Sequence, residues 1–175
     1  AVFQSGGVAV LLNTSSTPSE LCYLLNNSDA KILITQASGE KRYREIKDQL
    51  SPCHSIYIPD SEENRSVVNQ KSKVNESDSL ATLINPDDPA MMIYTAGLTG
   101  KPLGAVLTHH NLCEELNMIQ PIFRREPDDI GLCLIPLFHS FGVTVNMLNV
   151  IQAGCSTVMM DRLTMDSLLS TIERE

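Results

Sequence analysis

The feature that most constrains the fold is an alternation of short apolar runs and amphipathic segments over the first third of the chain. Val8 to Leu12 is a compact apolar run of strand length. Pro18 then opens a helix, with Thr17 placed as N-cap and Glu20, three positions on, as its capping-box partner. Leu21, Leu24 and Leu25 recur at helical spacing, and Asn26 to Asp29 ends the element. Lys31 to Thr35 reads as the next strand. Ser38 to Leu50 reads as a charged helix with Tyr43, Ile46 and Leu50 facing inward, and His54 to Ile58 as a third strand. Strands alternating with helices in this way call for a mainly parallel sheet with flanking helices, an α/β fold.

The chain has 175 residues, enough for one domain with a real core or for part of something larger. Its 42% apolar and 19% charged residues are those of a globular protein. A net charge of −8 argues against nonspecific binding to nucleic acid or to an anionic membrane. No apolar run reaches the length of a membrane span. Five cysteines, at 22, 53, 113, 133 and 155, are far apart with no Cys-x-x-Cys, so buried, reduced thiols in a cytoplasmic protein are expected. The segment 61–79 is polar and aperiodic and reads as a mobile surface excursion.

The segment from Met91 to Asn111 is the chemically suggestive one. An apolar run, Met91 to Tyr94, leads into a loop with glycines at 97, 100 and 104, then a second apolar run, Ala105 to Leu107. Thr108 follows as N-cap of a helix expected to run from His109 to about Ile119 and to stop near Pro121. Glycines allow positive φ and bring backbone N–H groups close to a ligand, a layout that suits phosphate. Thr95, Thr99 and Lys101 add hydroxyls and a positive charge. The loop is not a Walker A loop, because Pro102 follows Lys101, and it carries no Gly-x-Gly-x-x-Gly signature.

Beyond it, Ile130 to Leu137 reads as a strand, and Phe138-His139-Ser140-Phe141-Gly142 as a turn. Val143 to Gln152 reads as an apolar helix ended by Gly154, and Ser156 to Met160 as a strand. Thr164 to Glu175 reads as a helix with Met165, Leu168, Leu169 and Ile172 facing the core. The chain begins without an initiator Met and stops with no following strand, as expected of a fragment.

The run Tyr94-Thr-Ala-Gly-Leu-Thr-Gly-Lys-Pro-Leu-Gly104 resembles the signature loop of the AMP-forming adenylate enzymes: acyl-CoA synthetases, luciferases and peptide-synthetase adenylation domains. Their usual pattern is Tyr-Thr-Ser-Gly-Thr-Thr-Gly-x-Pro-Lys-Gly. Tyr94, Thr95, Gly97, Thr99, Gly100, Pro102 and Gly104 keep it; Ala96, Leu98 and Leu103 depart from it. The segments Val8 to Thr14, Thr17 to Leu21 and Leu24 to Lys31 resemble the family's upstream sequence, and Ile135 to Gly142 its next motif. The wording of that last motif is closest to the fatty-acyl-CoA ligases.

The resemblance implies part of the large N-terminal domain of an acyl-CoA synthetase. An α/β subdomain is expected over 1–125, with the phosphate loop at 94–104, and the start of a second over 126–175. It implies ATP-dependent activation of a carboxylic, here fatty, acid to an acyl-adenylate and then to acyl-CoA, with release of pyrophosphate and AMP. ATP, the acid and CoA are the expected partners. Magnesium is expected on a ligand downstream of this chain, and the chain alone is expected to be inactive. Thr95, Ala96, Gly97, Leu98, Thr99, Gly100 and Lys101 are implied as nucleotide-binding, and His139 as the motif histidine near the acyl and ATP sites.

Leu98 and Leu103 replace a hydroxyl donor and a cation of the family pattern, with Lys101 a nearby substitute for the lost charge. Two other readings follow from these departures: a degenerate, non-catalytic nucleotide-binding module, and an aryl-CoA ligase or carrier-loading adenylation domain. Exposed edges of a truncated second subdomain are an expected place for a homodimer to form. His109-His110 have no third ligand at metal-binding spacing and read as a solvent-facing cap pair.

Overall fold

The computed structural model describes residues 2–57, 84–97, 100–160 and 163–175. Ile58, the polar excursion at 61–79, and Leu98 and Thr99 therefore lie outside the described residues. The chain divides into two compact units, one of Ala1–Ile84 with Tyr94–Ala105, the other of Asn85–Ile93 with Val106–Glu175. The boundary expected near residue 125 falls inside the second unit.

In the first unit, strand β1 spans Ala9–Leu11 and helix α1 Pro18–Asn27. The capping box forms as its sequence predicts. The Glu20 amide donates to Thr17 Oγ1 at 3.3 Å, and the Thr17 amide donates to Glu20 Oε2 at 2.7 Å. Strand β2 (Ile32–Thr35), helix α2 (Ala37–Ile46), a short 3-10 turn (Lys47–Gln49) and β3 (His54–Tyr57) follow. β2 and β3 pair in parallel, Ile32 opposite His54 through Thr35 opposite Tyr57. Leu21, Leu25 and Ile46 form the buried cluster between α1 and α2, with Leu33, Tyr43 and Leu50 packed against it. Asn26 locks the C-terminal part of α1 to the segment before β3. Its amide donates to the Gln49 carbonyl at 3.0 Å, and its Oδ1 accepts from the Ser51 amide at 2.9 Å.

Strands β4 (Pro89–Thr95) and β5 (Leu103–Thr108) each run through both units. With β1 they form a three-stranded sheet in the order β1-β4-β5. The connection between β4 and β5, residues 96–102, is too short for a parallel crossover, so these two strands form a hairpin. The α/β class thus holds, with the sheet divided into small pieces of mixed direction.

In the second unit, helix α3 spans His109–Phe123, with Thr108 as N-cap accepting from the Asn111 amide at 3.1 Å. Pro121 does not stop it. A proline here removes one helical hydrogen bond near the end of the helix, and α3 runs one half-turn further. It closes at Arg124, whose φ of 49° lies in the left-handed region and whose amide donates to the Gln120 carbonyl at 2.9 Å.

Strand β6 covers Ile130–Cys133, shorter than the expected run to Leu137. It pairs in parallel with β7 (Ser156–Met159), and Pro136 beyond it has no N–H to extend the ladder. Between them the chain is helical from Ser140 to Gln152: α4 (Ser140–Val143), a π-helical stretch (Thr144–Leu148) and α5 (Asn149–Gln152). Val143, Val145 and Val150 are buried here. Asn149 is fully buried and satisfied, donating to Gln120 Oε1 at 3.1 Å and accepting from Arg125. That network holds the end of α3 against α5.

Helix α6 (Met165–Arg174) is capped by Thr164, whose hydroxyl accepts from the Ser167 amide, but it does not have the expected core face. Met165, Leu169 and Ile172 are exposed, and Thr171 is its buried residue. Cys133 is the buried thiol, and Cys113 is exposed, against the expectation that all five would be buried; all five are free.

Candidate functional site

The glycine loop is positioned from both sides by the first unit. Where β4 ends, Tyr94 is half-buried, and its hydroxyl donates to Asn27 Oδ1 at 2.9 Å and to the Leu24 carbonyl at 3.2 Å. Burial pushes the Tyr94 phenol above its ordinary value. Thr95, the next residue, turns its hydroxyl across the base of the loop to the Leu103 carbonyl at 3.4 Å. Where the loop ends, the Tyr23 hydroxyl donates to the Pro102 carbonyl at 2.9 Å.

Two glycines give the loop its left-handed turns. Gly97 has φ 59°, and a Cβ there would overlap the Lys101 carbonyl oxygen. The two limbs of the loop therefore approach each other at Gly97. Gly100 has φ 81°, with open space where a Cβ would sit, and its amide donates to the Gly97 carbonyl at 3.4 Å. Ala96 and Lys101 are exposed beside this turn. Leu103 is 59% exposed at the position where the family pattern has lysine.

Of the residues expected at the site, Thr95, Ala96, Gly97, Gly100 and Lys101 come together in this loop; Leu98 and Thr99 lie outside the described residues. His139 belongs to the second unit. It is the exposed N-cap residue of α4 and makes no side-chain capping bond; its ring stacks at a tilt on Phe138, with centroids 4.6 Å apart. The His139 amide donates to the Pro136 carbonyl at 3.0 Å. Gly142 completes this turn by close approach: a Cβ on it would lie 2.6 Å from the Ile135 carbonyl oxygen.

Three contributors escaped the sequence reading. Tyr23 and Asn27 on α1 fasten the loop, and Gly142 lets α4 pack on the preceding backbone. The signal for Tyr23 was present: a tyrosine beside the buried Leu21, Leu24 and Leu25 needs a partner for its hydroxyl.

Among the described residues no group of three or more His, Cys, Asp or Glu could hold a metal ion. No helix among them is long and apolar enough to cross a membrane.

The whole chain, residues 1–175, matches the AMP-binding enzyme family. It is 30% identical over 163 residues to an oxalate–CoA ligase of Arabidopsis thaliana, covering 91% of this chain and 31% of that protein. It is 28% identical over 183 residues to 4-coumarate-CoA ligase 2 of Narcissus pseudonarcissus, covering 97% and 32%. Its fold matches the crystal structure of ATP-bound MatB from Rhodopseudomonas palustris with a TM-score of 0.76 at 24% identity, covering 99% of this chain and 34% of that one. That last likeness concerns the fold alone. The chain spans about a third of the length of the curated relatives it matches. With a family match over every residue and the loop and turn built as described, the chain belongs to the AMP-binding enzyme family.

Proposed function

We propose that the full-length protein activates a carboxylic acid with ATP, forming an acyl-adenylate and pyrophosphate, and passes the acyl group to the thiol of CoA with release of AMP. The observation that carries this reading is the pair of left-handed glycines, Gly97 and Gly100, between β4 and β5 in a chain of the AMP-binding family. The names of the relatives, CoA ligases for oxalate and for 4-coumarate, support CoA as the acceptor.

In the first half-reaction a carboxylate oxygen attacks the α-phosphorus, and the electron pair of the breaking P–O bond leaves on pyrophosphate. Neither half needs a covalent bond to the protein, so this chain's work is positioning and charge stabilisation. Gly97 and Gly100 allow the backbone to approach the β- and γ-phosphates without side chains in the way. Lys101, exposed at the turn, supplies part of the positive charge lost with the lysine absent at 103. Thr99 adds a hydroxyl, while Thr95 serves the base of the loop. His139, exposed at the start of α4, is proposed to contact the acyl or nucleotide substrate.

A fatty acid rests on the wording of Pro136 to Gly142 alone. An aryl acid is the second reading, favoured by the likeness to a 4-coumarate ligase. A homodimer and a cytoplasmic location belong to the same proposal. They are supported by the exposed apolar stripe of α6 and by the free thiols, respectively.

The test is AMP release by the full-length protein with oxalate, 4-coumarate and medium- and long-chain fatty acids, with and without CoA. CoA-dependent AMP release with one acid class supports the reading. Release that needs a carrier protein instead of CoA assigns a carrier-loading domain. No release with any acid leaves the non-catalytic module.

A further inference from the structure

Two tyrosines fasten both limbs of the glycine loop to one helix. Tyr94, where the chain goes into the loop, reaches Leu24 and Asn27 of α1. Tyr23, on α1 itself, reaches Pro102, where the chain comes out. These bonds join groups 67 to 79 residues apart in sequence and end on residues 23 to 27 of α1. The helix is itself held fast by its capping box, by Leu21 and Leu25 in the buried cluster, and by Asn26 on the segment before β3.

The loop needs such support. Gly97 and Gly100 are the residue type with most conformational freedom to lose, so neither holds its own backbone in place. Pro102 has no N–H to donate, leaving its carbonyl as the backbone group by which the outgoing limb can be held. Tyr23 holds it.

We infer that Tyr23 is a positioning residue for ATP: its hydroxyl, through the Pro102 carbonyl, keeps Gly100 and Lys101 on the outgoing limb, and Gly97 facing them, in place for the nucleotide, with α1 as the splint. The inference rests on the reading of this loop as the phosphate site. Tyr23 acts on the acid and the thiol not at all. Losing one part-buried hydrogen bond corresponds to about threefold to tenfold in an equilibrium constant.

The experiment compares Tyr23→Phe with a matched control, Tyr43→Phe, in the full-length protein. Tyr43 makes the same kind of bond, its hydroxyl donating to the Cys53 carbonyl at 2.6 Å, between α2 and the residue before β3. Measured are the ATP dissociation constant by calorimetry, KM for ATP and for the acid, and the thermal midpoint. Both variants are expected to lower the midpoint. Only Tyr23→Phe is expected to weaken ATP binding and raise its KM, by about threefold to tenfold, with KM for the acid unchanged. Unaltered ATP affinity in Tyr23→Phe overturns the inference, and so does equal weakening by Tyr43→Phe. If Gly97→Ala weakens ATP binding while Tyr23→Phe does not, the splint alone is wrong. If Gly97→Ala also leaves ATP binding untouched, the phosphate-loop reading fails with it.

Discussion

A Cβ on Gly97 would fall on the carbonyl oxygen of Lys101, whereas one on Gly100 would meet nothing within 4 Å. Both glycines have left-handed φ, so alanine is strained at either, by about 1–2 kcal/mol. Only at Gly97 does it also collide with backbone. Gly97→Ala is therefore expected to lower the thermal midpoint of the full-length protein more than Gly100→Ala does. Equal midpoints would mean that the two limbs do not meet at Gly97.

Leu103 gives a gain-of-function test. Its side chain is exposed, so Leu103→Lys costs no burial and returns a cation to the position where the family pattern has one. A charge-assisted hydrogen bond contributes about 1.5–3 kcal/mol, so ATP affinity should rise by roughly tenfold or more. The ATP dissociation constant by calorimetry reads this directly. No change would show that Lys101 already serves the role.

In the second unit, structure and chemistry separate between neighbours. Gly142→Ala drives a methyl group onto the Ile135 and Pro136 carbonyls and should destabilise the fold by about 1–3 kcal/mol. His139→Ala removes an exposed ring and should leave the denaturation midpoint nearly unchanged while lowering kcat/KM. A comparable loss of stability in both variants would make His139 a packing residue.

The Thr17–Glu20 capping box predicts a pH effect of known sign. Hydrogen bonds from the Thr17 amide, then from its hydroxyl, hold the Glu20 carboxyl below its ordinary value. A carboxyl with a depressed folded-state pKa stabilises the fold above its unfolded-state pKa. That contribution disappears as pH falls through the folded-state value. Glu20→Gln should thus lower stability near neutral pH and flatten the acid side of a stability–pH profile measured by urea unfolding. Parallel profiles for the two proteins would contradict it.

What the sequence disclosed was local. Thr17, Pro18 and Glu20 announce the start of α1, and Thr108 that of α3, because a cap involves residues within one turn of each other. Two glycines in the loop announce its unusual backbone. What it did not disclose depends on distant partners. Tyr23 meets Pro102 only because α1 packs beside the loop, and Pro121 is harmless only because α3 ends soon after it. The exposed Met165, Leu169 and Ile172 follow helical spacing faithfully, yet periodicity specifies a face and not what covers it.

The most direct measurement is acid-dependent ATP–pyrophosphate exchange, run on the full-length protein and on its Gly97→Ala variant. Exchange that requires a carboxylic acid, and that falls by at least roughly tenfold when the strained and obstructed loop can no longer close, is the predicted result. Exchange with no acid tested, or exchange indifferent to Gly97→Ala, would contradict the assignment of this loop to the phosphates of ATP.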